Sequence, residues 1–575
     1  MNRIIAYLDL SEAPQSKHNK LSECSFDTPH WQPDHRAIIN EDKIGLSATQ
    51  RFITPQCADC LMPYQDRDSQ LWINADVYLT NHDELCAFLE LDSSSADAKL
   101  ILSAYRRYGY DCLKYFSGYF SFVIYDPLKN ELFAAVDQFS NNPLYYHYEA
   151  NEQFICANEF SPFRKLSSQL TINEKHFLEM TFDTFSLTET SYKEVFRLKS
   201  GYYLIVNQTG CREHRYWELK KSKLPKMSRE EYYQEFRKLF HKAVDSCLRN
   251  IGENCSQISG GMDSSSVTAQ AAIILAKENR KLHSFTALPN NLNGPSNRKN
   301  WYYHELPIVE SVLKMHSNIV HHQHYSKINE DIYQELDILN PHIDQPIRNV
   351  ANIEWIVSSY KFATENNSRI VLTGASGNAT ISWDGVSLRN KLSKIRSFLK
   401  LKLKPTSTFN NFFTYANHDV LQSKAGQQLM FKRGFISDSQ AYMLTGPTNA
   451  LKSTAYALQL WYGTRNLDPT IDKELVAFCY SLPQWVFYTG NKTINRRLLV
   501  REGLRDILPT TIAQSIARGE QASDFYLSYN AHNQEWLNRL NILKPATQAI
   551  IWRYFDKYGK AILKSYNFNL LTKLH

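Results

Sequence analysis

Between Gln257 and Ser266 the chain reads QISGGMDSSS: two glycines, an aspartate and a string of hydroxyls directly behind a short apolar run. SSSVTAQAAIILAKE then takes up helical spacing from Ser264, so the glycines sit between a strand and a helix. A helix start presents unpaired N–H groups and the positive end of the helix dipole. Gly260 and Gly261 let the backbone come close to an anion. Ser259, Ser264 and Ser265 add hydroxyl donors. Asp263 would repel a bare phosphate, but it suits a Mg²⁺ ion that bridges phosphate oxygens. No Gly-Lys-Ser/Thr follows, so the pattern is not that of a P-loop.

Working outward, Ser228 followed by Glu231 predicts a capping box. Tyr232, Phe236, Phe240, Ala243 and Val244 then repeat at helical spacing. After the glycine loop come a strand in KLHSFTALP, a helix over about 301–316 and a strand in NIVHHQHY. A helix over about 350–365 and a strand in RIVLTG complete the series. Strands alternating with helices predict a parallel α/β sheet. From about 430 onward the pattern is mostly helical. Upstream, residues 1 to about 210 are strand-rich, with one helix expected near 96–108, and KSKLPKMS (221–228) reads as a linker.

The composition sets outer bounds. The chain has 575 residues, 43% hydrophobic and 21% charged, as in an ordinary globular protein of two to four domains. A net charge of +7 is too dilute over this length to argue for nucleic acid. No apolar run of about 18 residues predicts a membrane span. MNRIIAYLDLSEAPQ lacks the long apolar core of a secretory signal, so a cytoplasmic location is expected. The ten cysteines are thinly spread, unlike a disulfide framework. Cys57 and Cys60 form a lone CxxC with no second ligand pair nearby, which favours two ordinary thiols over a metal site. His316, His321, His322 and His324 lie close together, but without carboxylates or cysteines alongside they read as surface histidines. RNKLSKIRSFLKLKLKP (389–405) alternates cations with apolar residues and reads as a solvated insertion, or as a basic helix that docks a partner.

SGGMDSS resembles the pyrophosphate loop of the N-type ATP pyrophosphatases, specifically the asparagine synthetase-like family. SFTALP, containing Ala287, resembles that family's adenine-lining strand. YYHELPIVESV resembles its Asp-Glu helix start, with His304 in place of Asp and Glu305 matching. LWINADVYLTNHDEL and the segment 115–146 resemble a glutamine amidotransferase domain. The fold this implies is an α+β Ntn-hydrolase-like (class II glutamine amidotransferase-like) sandwich over 1–215. An α/β parallel-sheet ATP-pyrophosphatase domain (adenine nucleotide α-hydrolase-like) over 225–575 follows, with a helical C-terminal part. The activity it implies is attack of a carboxylate on the α-phosphate of ATP, then displacement of AMP by an amine, with ATP and Mg²⁺ required.

The departures from the family bear on substrate. Glutamine-using members carry Cys after the initiator Met; here the residue is Asn2, whose amide cannot act as a thiolate does. The family's oxyanion-site pair is Asn74-Ala75, and its Arg-Asp pair is Val136-Asp137. The first domain is therefore expected to have lost glutamine hydrolysis. In the loop from Gly374, Ala375 stands where the family has an acidic base, and Asn378 where it has a second metal aspartate. Asn378 is then expected to bind metal through its carbonyl oxygen, helped by Asp384. The family's C-terminal lysine aligns near Gly519, leaving Arg518 to stabilise phosphate charge. Asp344 and Arg348 resemble a segment near the substrate.

With no ammonia from glutamine, the resemblance narrows to ring-closing members, above all the lasso-peptide macrolactam synthetases. An Asp or Glu side chain of a ribosomal precursor peptide would be adenylated and attacked by the peptide's N-terminal amine. The expected partners are that precursor, a leader-peptide-binding protein and a leader protease, with no nucleic acid. The alternative is an asparagine synthetase-like or β-lactam synthetase-like amide ligase acting on a small molecule. A non-catalytic binding protein is a third reading, motivated by the acidic losses at Ala375 and Asn378.

Overall fold

The computed structural model describes residues 1–11, 21, 22, 24, 28–167, 170–181, 186–294, 300–327, 342, 343, 352–385, 439–446, 452–490, 492–520 and 522–524. The first domain contains two six-stranded antiparallel sheets. One runs in the order Phe196–Arg197, Tyr145–Glu149, Gln153–Ala157, Asn2–Asp9, Ile44–Gln50, His35–Glu41. The other runs Gly210–Arg215, Tyr202–Asn207, Glu131–Val136, Gly118–Asp126, Trp72–Leu79, Tyr64–Gln65.

Alternation along the strands builds the layers. Ile4, Ala6 and Leu8 face the second sheet, meeting Val123, Leu132 and Ala134. Ile5 and Tyr7 on the same strand face outward onto Phe160 and Phe163. Behind the second sheet, Ile73, Ala75, Phe120 and Phe122 pack against Leu100, Ile101 and Ala104 of the helix Asp97–Tyr108. The result is helix, sheet, sheet, helix. The strand Asn2–Asp9, buried over its whole length, supplies the centre of the first sheet.

After Arg215 no regular element appears until the helix Arg229–Ser246. Ser228 caps that helix as its sequence predicts. Its hydroxyl accepts the Glu231 N–H at 3.3 Å, and the Glu231 carboxylate accepts the Ser228 N–H at 2.7 Å. The second domain is a five-stranded, all-parallel sheet ordered Ile319–Tyr325, Leu282–Leu288, Asn254–Gln257, Ile370–Leu372, Arg465–Leu467. The helices Arg229–Ser246, Met262–Lys277 and Leu306–Met315 share one apolar cluster through Phe236, Val267 and Val309. The helices Ile353–Glu365 and Lys452–Tyr462 share another through Val357, Tyr360 and Leu458. The described residues from 439 on are mostly helical, and 525–575 lie outside the described residues.

Two expectations shift. The helix expected over 301–316 starts only at Leu306, because Trp301–Tyr302 pairs as a short parallel strand with Arg518–Gly519. The glycine-loop helix begins at Met262 rather than Ser264, since Gly261 takes the extended conformation of its N-cap. The edge strand Arg465–Leu467, three residues long, carries no periodic signal and went unpredicted.

Candidate active site at the switch point of the parallel sheet

From the central strand Asn254–Gln257 the chain winds outward through 282–288 to 319–325, then returns to the other side with 370–372. The carboxyl end of the central strand is thus the point where strand order reverses, where open α/β sheets place their ligands. A cleft of about 470 Å³ opens there. Its lining brings together Ser259, Gly261, Asp263, Ser264, Ala287, Gly374 and Asn378, residues singled out from sequence segments up to 120 positions apart.

The hydroxyls of the glycine loop shape it from within. The Ser259 and Ser264 hydroxyls lie 2.8 Å apart, and the Gly261 N–H donates to Ser259 Oγ at 3.1 Å. The Ser265 hydroxyl turns back to the Ser259 carbonyl at 2.8 Å, so it holds the loop instead of facing the cleft. Gly261 caps the helix with no side-chain hydrogen bond, which leaves first-turn N–H groups for an anion. Gly260 does not line the cleft. Its N–H donates to the Glu305 carboxylate, and a Cβ there would sit 3.1 Å from Glu305 Oε1. Glu305 also accepts the Gly519 N–H, so one carboxylate ties the glycine loop to the strand of Arg518. Burial pushes Glu305 up to about 7 against the pull of those two N–H groups.

Asp263 is enclosed by the loop after Ile370–Leu372. A Cβ on Gly377 would lie 2.3 Å from the Asp263 Cγ, and one on Gly374 would lie 2.6 Å from its backbone carbon. Only glycine permits that approach at either position. Burial raises the Asp263 carboxyl to about 6; the Ser382 hydroxyl and the Arg497 guanidinium draw it back, and Asp468 adds to the rise. Its Oδ1 is buried with no hydrogen-bond partner among the described residues. A free carboxylate oxygen of this kind is the donor a hard divalent cation takes, and Asn378 lines the same cleft.

Other expected residues stand elsewhere. Asp384 does not line the cleft; its carboxylate pairs with Arg496 at 3.4 Å and lies within electrostatic reach of Arg497. Arg518 lies outside the cleft lining on its short strand, within electrostatic reach of Arg497. Asp344 and Arg348 fall outside the described residues, as does the basic segment 389–405. The histidines do have a carboxylate beside them, against expectation: His324 pairs with Glu354 at 2.7 Å. His321 meets the Ser284 hydroxyl at 2.9 Å and His316 the Ile507 carbonyl at 2.9 Å. Among the described residues no group of three or more His, Cys, Asp or Glu is arranged to hold a metal ion. Cys60 is buried, and Cys57 meets the Thr54 hydroxyl at 3.4 Å.

Arg497 escaped sequence reading altogether. It holds a left-handed backbone, φ 59°, at the start of the helix Leu498–Gly503, and its guanidinium is in electrostatic reach of Asp263 and Arg518. Arg501 fixes the path onward, donating to the carbonyls of Ala513 at 2.6 Å and Ser515 at 2.7 Å. A left-handed arginine leaves no mark in composition or periodicity.

In the first domain the polar groups beside Asn2 are bonded to one another and to the second domain. Asp76 accepts the Asn2 N–H at 2.8 Å, the Asn142 amide at 2.9 Å and the Tyr456 hydroxyl at 2.7 Å, and it pairs with Arg465. Tyr456 and Arg465 come from the second domain. The Asn74 amide donates to the carbonyls of Ile5 at 3.1 Å and Ser47 at 2.9 Å. Asp137 accepts the N–H groups of Phe139, Asn141 and Asn142, and Lys452 reaches the Phe139 carbonyl at 3.0 Å and Asn141 Oδ1 at 2.9 Å.

Comparison with known proteins agrees with this division. Residues 1–217 match the model of the glutamine amidotransferase domain, and residues 235–455 that of asparagine synthase. A putative glutamine-hydrolysing asparagine synthetase 2 of Methanocaldococcus jannaschii is 28% identical over 49% of this chain and 54% of its own length. Asparagine synthetase 2 of Bacillus subtilis is 26% identical over 44% of this chain and 36% of its own length. Amidase chyE of Penicillium rubens is 26% identical over 46% of this chain and 40% of its own length. The chain thus spans about half or less of the length of these curated relatives. No helix among the described residues is long and apolar enough to cross a membrane. The two domain matches together span most of the chain, which is similar over successive segments to a glutamine amidotransferase domain and to asparagine synthase.

Proposed function

We propose that this chain is an ATP-dependent ligase that forms amides. The observation that carries the reading is the partnerless Asp263 oxygen beside a helix N-terminus in a switch-point cleft. In this reading the first-turn N–H groups and the serine hydroxyls bind the phosphates. Asp263 and the Asn378 carbonyl would hold Mg²⁺, which when bound would offset the charge of the phosphates. Arg497 and Arg518 balance charge on the departing pyrophosphate. A substrate carboxylate oxygen bonds to the α-phosphorus as the bond to pyrophosphate breaks. An amine nitrogen then bonds to the acyl carbon as AMP leaves, and the surplus ammonium proton passes to solvent or a base. Ala375 cannot supply that base.

The finer reading is macrolactam formation on a ribosomal peptide, with an Asp or Glu side chain activated and the peptide's N-terminal amine attacking. It is supported by the first domain, which carries Asn2 in place of a thiol and whose Asp76, bonded to the Asn2 N–H, is also bonded by Tyr456 and Arg465 of the second domain. With both reacting groups on one threaded substrate, effective molarity supplies much of the rate. A precursor peptide, a leader-binding protein and a leader protease are the partners this reading needs. The names of the relatives favour a second reading, an amide ligase on a small carboxylate using free ammonia or an internal amine.

Incubation with Mg-ATP and either precursor peptide plus protease, or aspartate plus ammonium, separates the two. A peptide product lighter by one water, with AMP formed, supports macrolactam synthesis. AMP that depends on aspartate and ammonium supports the small-molecule reading. AMP formation with neither, or ADP in its place, overturns both. Glutamate release from added glutamine would overturn the account of the first domain.

A further inference from the structure

The loop Gly374–Ala379, which encloses Asp263, is not anchored only within its own domain. The Ser376 N–H donates to Asp468 Oδ2 at 2.7 Å. The other oxygen, Oδ1, accepts the Thr470 N–H at 3.0 Å and the Thr470 hydroxyl at 2.6 Å, so the carboxylate has a fixed orientation. The main chain of Asp468 is held from the first domain. Its N–H donates to the Tyr119 hydroxyl oxygen at 2.7 Å, and the Tyr119 O–H donates to its carbonyl at 3.0 Å. Tyr119 stands on the strand Gly118–Asp126 of the sandwich and is only 6% exposed. Asp468 directly follows the edge strand Arg465–Leu467, which pairs with the strand that leads into the loop. A buried carboxylate is costly unless its partners are in place, so each bond in this chain of contacts depends on the next.

We infer that Asp468 is a positioning residue for the candidate active site, anchored across the domain interface by Tyr119. Through Ser376, this strut sets the loop that carries Gly374, Gly377 and Asn378 against Asp263. The required fit is tight. With Gly377 packed so closely on the Asp263 carboxylate that no Cβ is tolerated, a shift of the loop by a few tenths of an ångström redirects Oδ1. The first domain therefore has a task for the second that requires no glutamine. The consequence for nucleotide binding rests on the proposed function; the placement of the loop does not.

The test uses the full-length chain with Tyr119→Phe and Asp468→Asn. Tyr78→Phe serves as the control, because the Tyr78 hydroxyl also crosses the interface, donating to the carbonyls of Ser246 at 2.9 Å and Arg249 at 3.1 Å, without touching Asp468. Amide hydrogen exchange without nucleotide reads the Ser376 N–H directly. Exchange over 373–380 is expected to quicken about tenfold in Tyr119→Phe and in Asp468→Asn, and to stay at the parental rate in Tyr78→Phe. Parental exchange in Tyr119→Phe, or equal quickening in Tyr78→Phe, overturns the strut. In a second arm, affinity for Mg-ATP is expected to fall about 5- to 10-fold in Tyr119→Phe while affinity for ATP in EDTA is unchanged. An equal fall in both conditions overturns the link from strut to Asp263. If the parental chain binds no Mg-ATP, the proposed function falls while the exchange measurement still decides the strut.

Discussion

Asp76 in the first domain and Asp263 in the second are both enclosed carboxylates, and their surroundings differ in kind. Asp76 meets a backbone N–H, an amide, a phenol and a guanidinium, two of them sent by the other domain. Asp263 leaves Oδ1 with no partner among the described residues and faces a cleft. A buried charge with every lone pair used is a joint, and one left short of partners is a place where a ligand completes the set. Burial alone therefore does not tell a site from a scaffold; the tally of partners does.

The largest effects are expected where each aspartate loses its function in turn. Asp263→Ala is expected to lower AMP formation at least ~100-fold, as loss of a principal metal and phosphate-positioning group does, with the thermal midpoint near parental. AMP formation at the parental rate would reverse the assignment of the cleft. Arg465→Ala is expected to do the opposite, destabilising the fold by about 3–5 kcal/mol because it takes the guanidinium from a buried carboxylate and leaves it only hydrogen-bond donors. Urea unfolding measures this, and a loss below about 1 kcal/mol would show that Asp76 is not a joint.

Gly377→Ala comes next. Its new Cβ would collide with the Asp263 carboxylate, so overpacking should cost about 1–3 kcal/mol and weaken Mg-ATP binding together. Calorimetry of unfolding and of binding reads both. Smaller still is a pH effect. Burial raises the Asp263 carboxyl to about 6, so the folded chain binds that proton more tightly than the unfolded chain does. Its contribution to stability is lost as pH rises toward 6, and Mg²⁺ must compete with a proton below it. Asp263→Asn should then melt above the parental chain at pH 8 and level with it at pH 4. Parental Mg-ATP affinity should weaken between pH 7 and pH 5.5. Smallest of all, Asn2→Cys should yield no glutamate from glutamine, because the Asn74 amide is committed to the Ile5 and Ser47 carbonyls.

The parts legible in the sequence were those written in neighbouring residues. The glycine loop, the Ser228 cap and the alternating strands and helices each have a local pattern. The resemblance added Ala287, Gly374 and Asn378, which the fold does bring to one cleft. What stayed hidden depends on distant residues or on backbone strain. Arg465 meets Asp76 from 389 positions away, and neither residue has a neighbour that foretells the other. Glu305 was noticed as a match, but its bridge between Gly260 and Gly519 requires the folded chain. Arg497 depends on a left-handed φ that its neighbours do not announce. Closeness in sequence to Asn378 did not bring Asp384 into the cleft lining; it pairs instead with Arg496.

The strand Arg465–Leu467 closes one side of the parallel sheet with only three residues, and the first domain lies against it through Asp76 and Tyr119. An open sheet margin recruits further strands, including those of other molecules. Cutting the chain at its linker would strip Asp76 from Arg465 and the Tyr119 hydroxyl from Asp468 at that margin, leaving the Gln459 side chain on the Asn466 N–H, and the severed second half should self-associate more readily than the full-length chain.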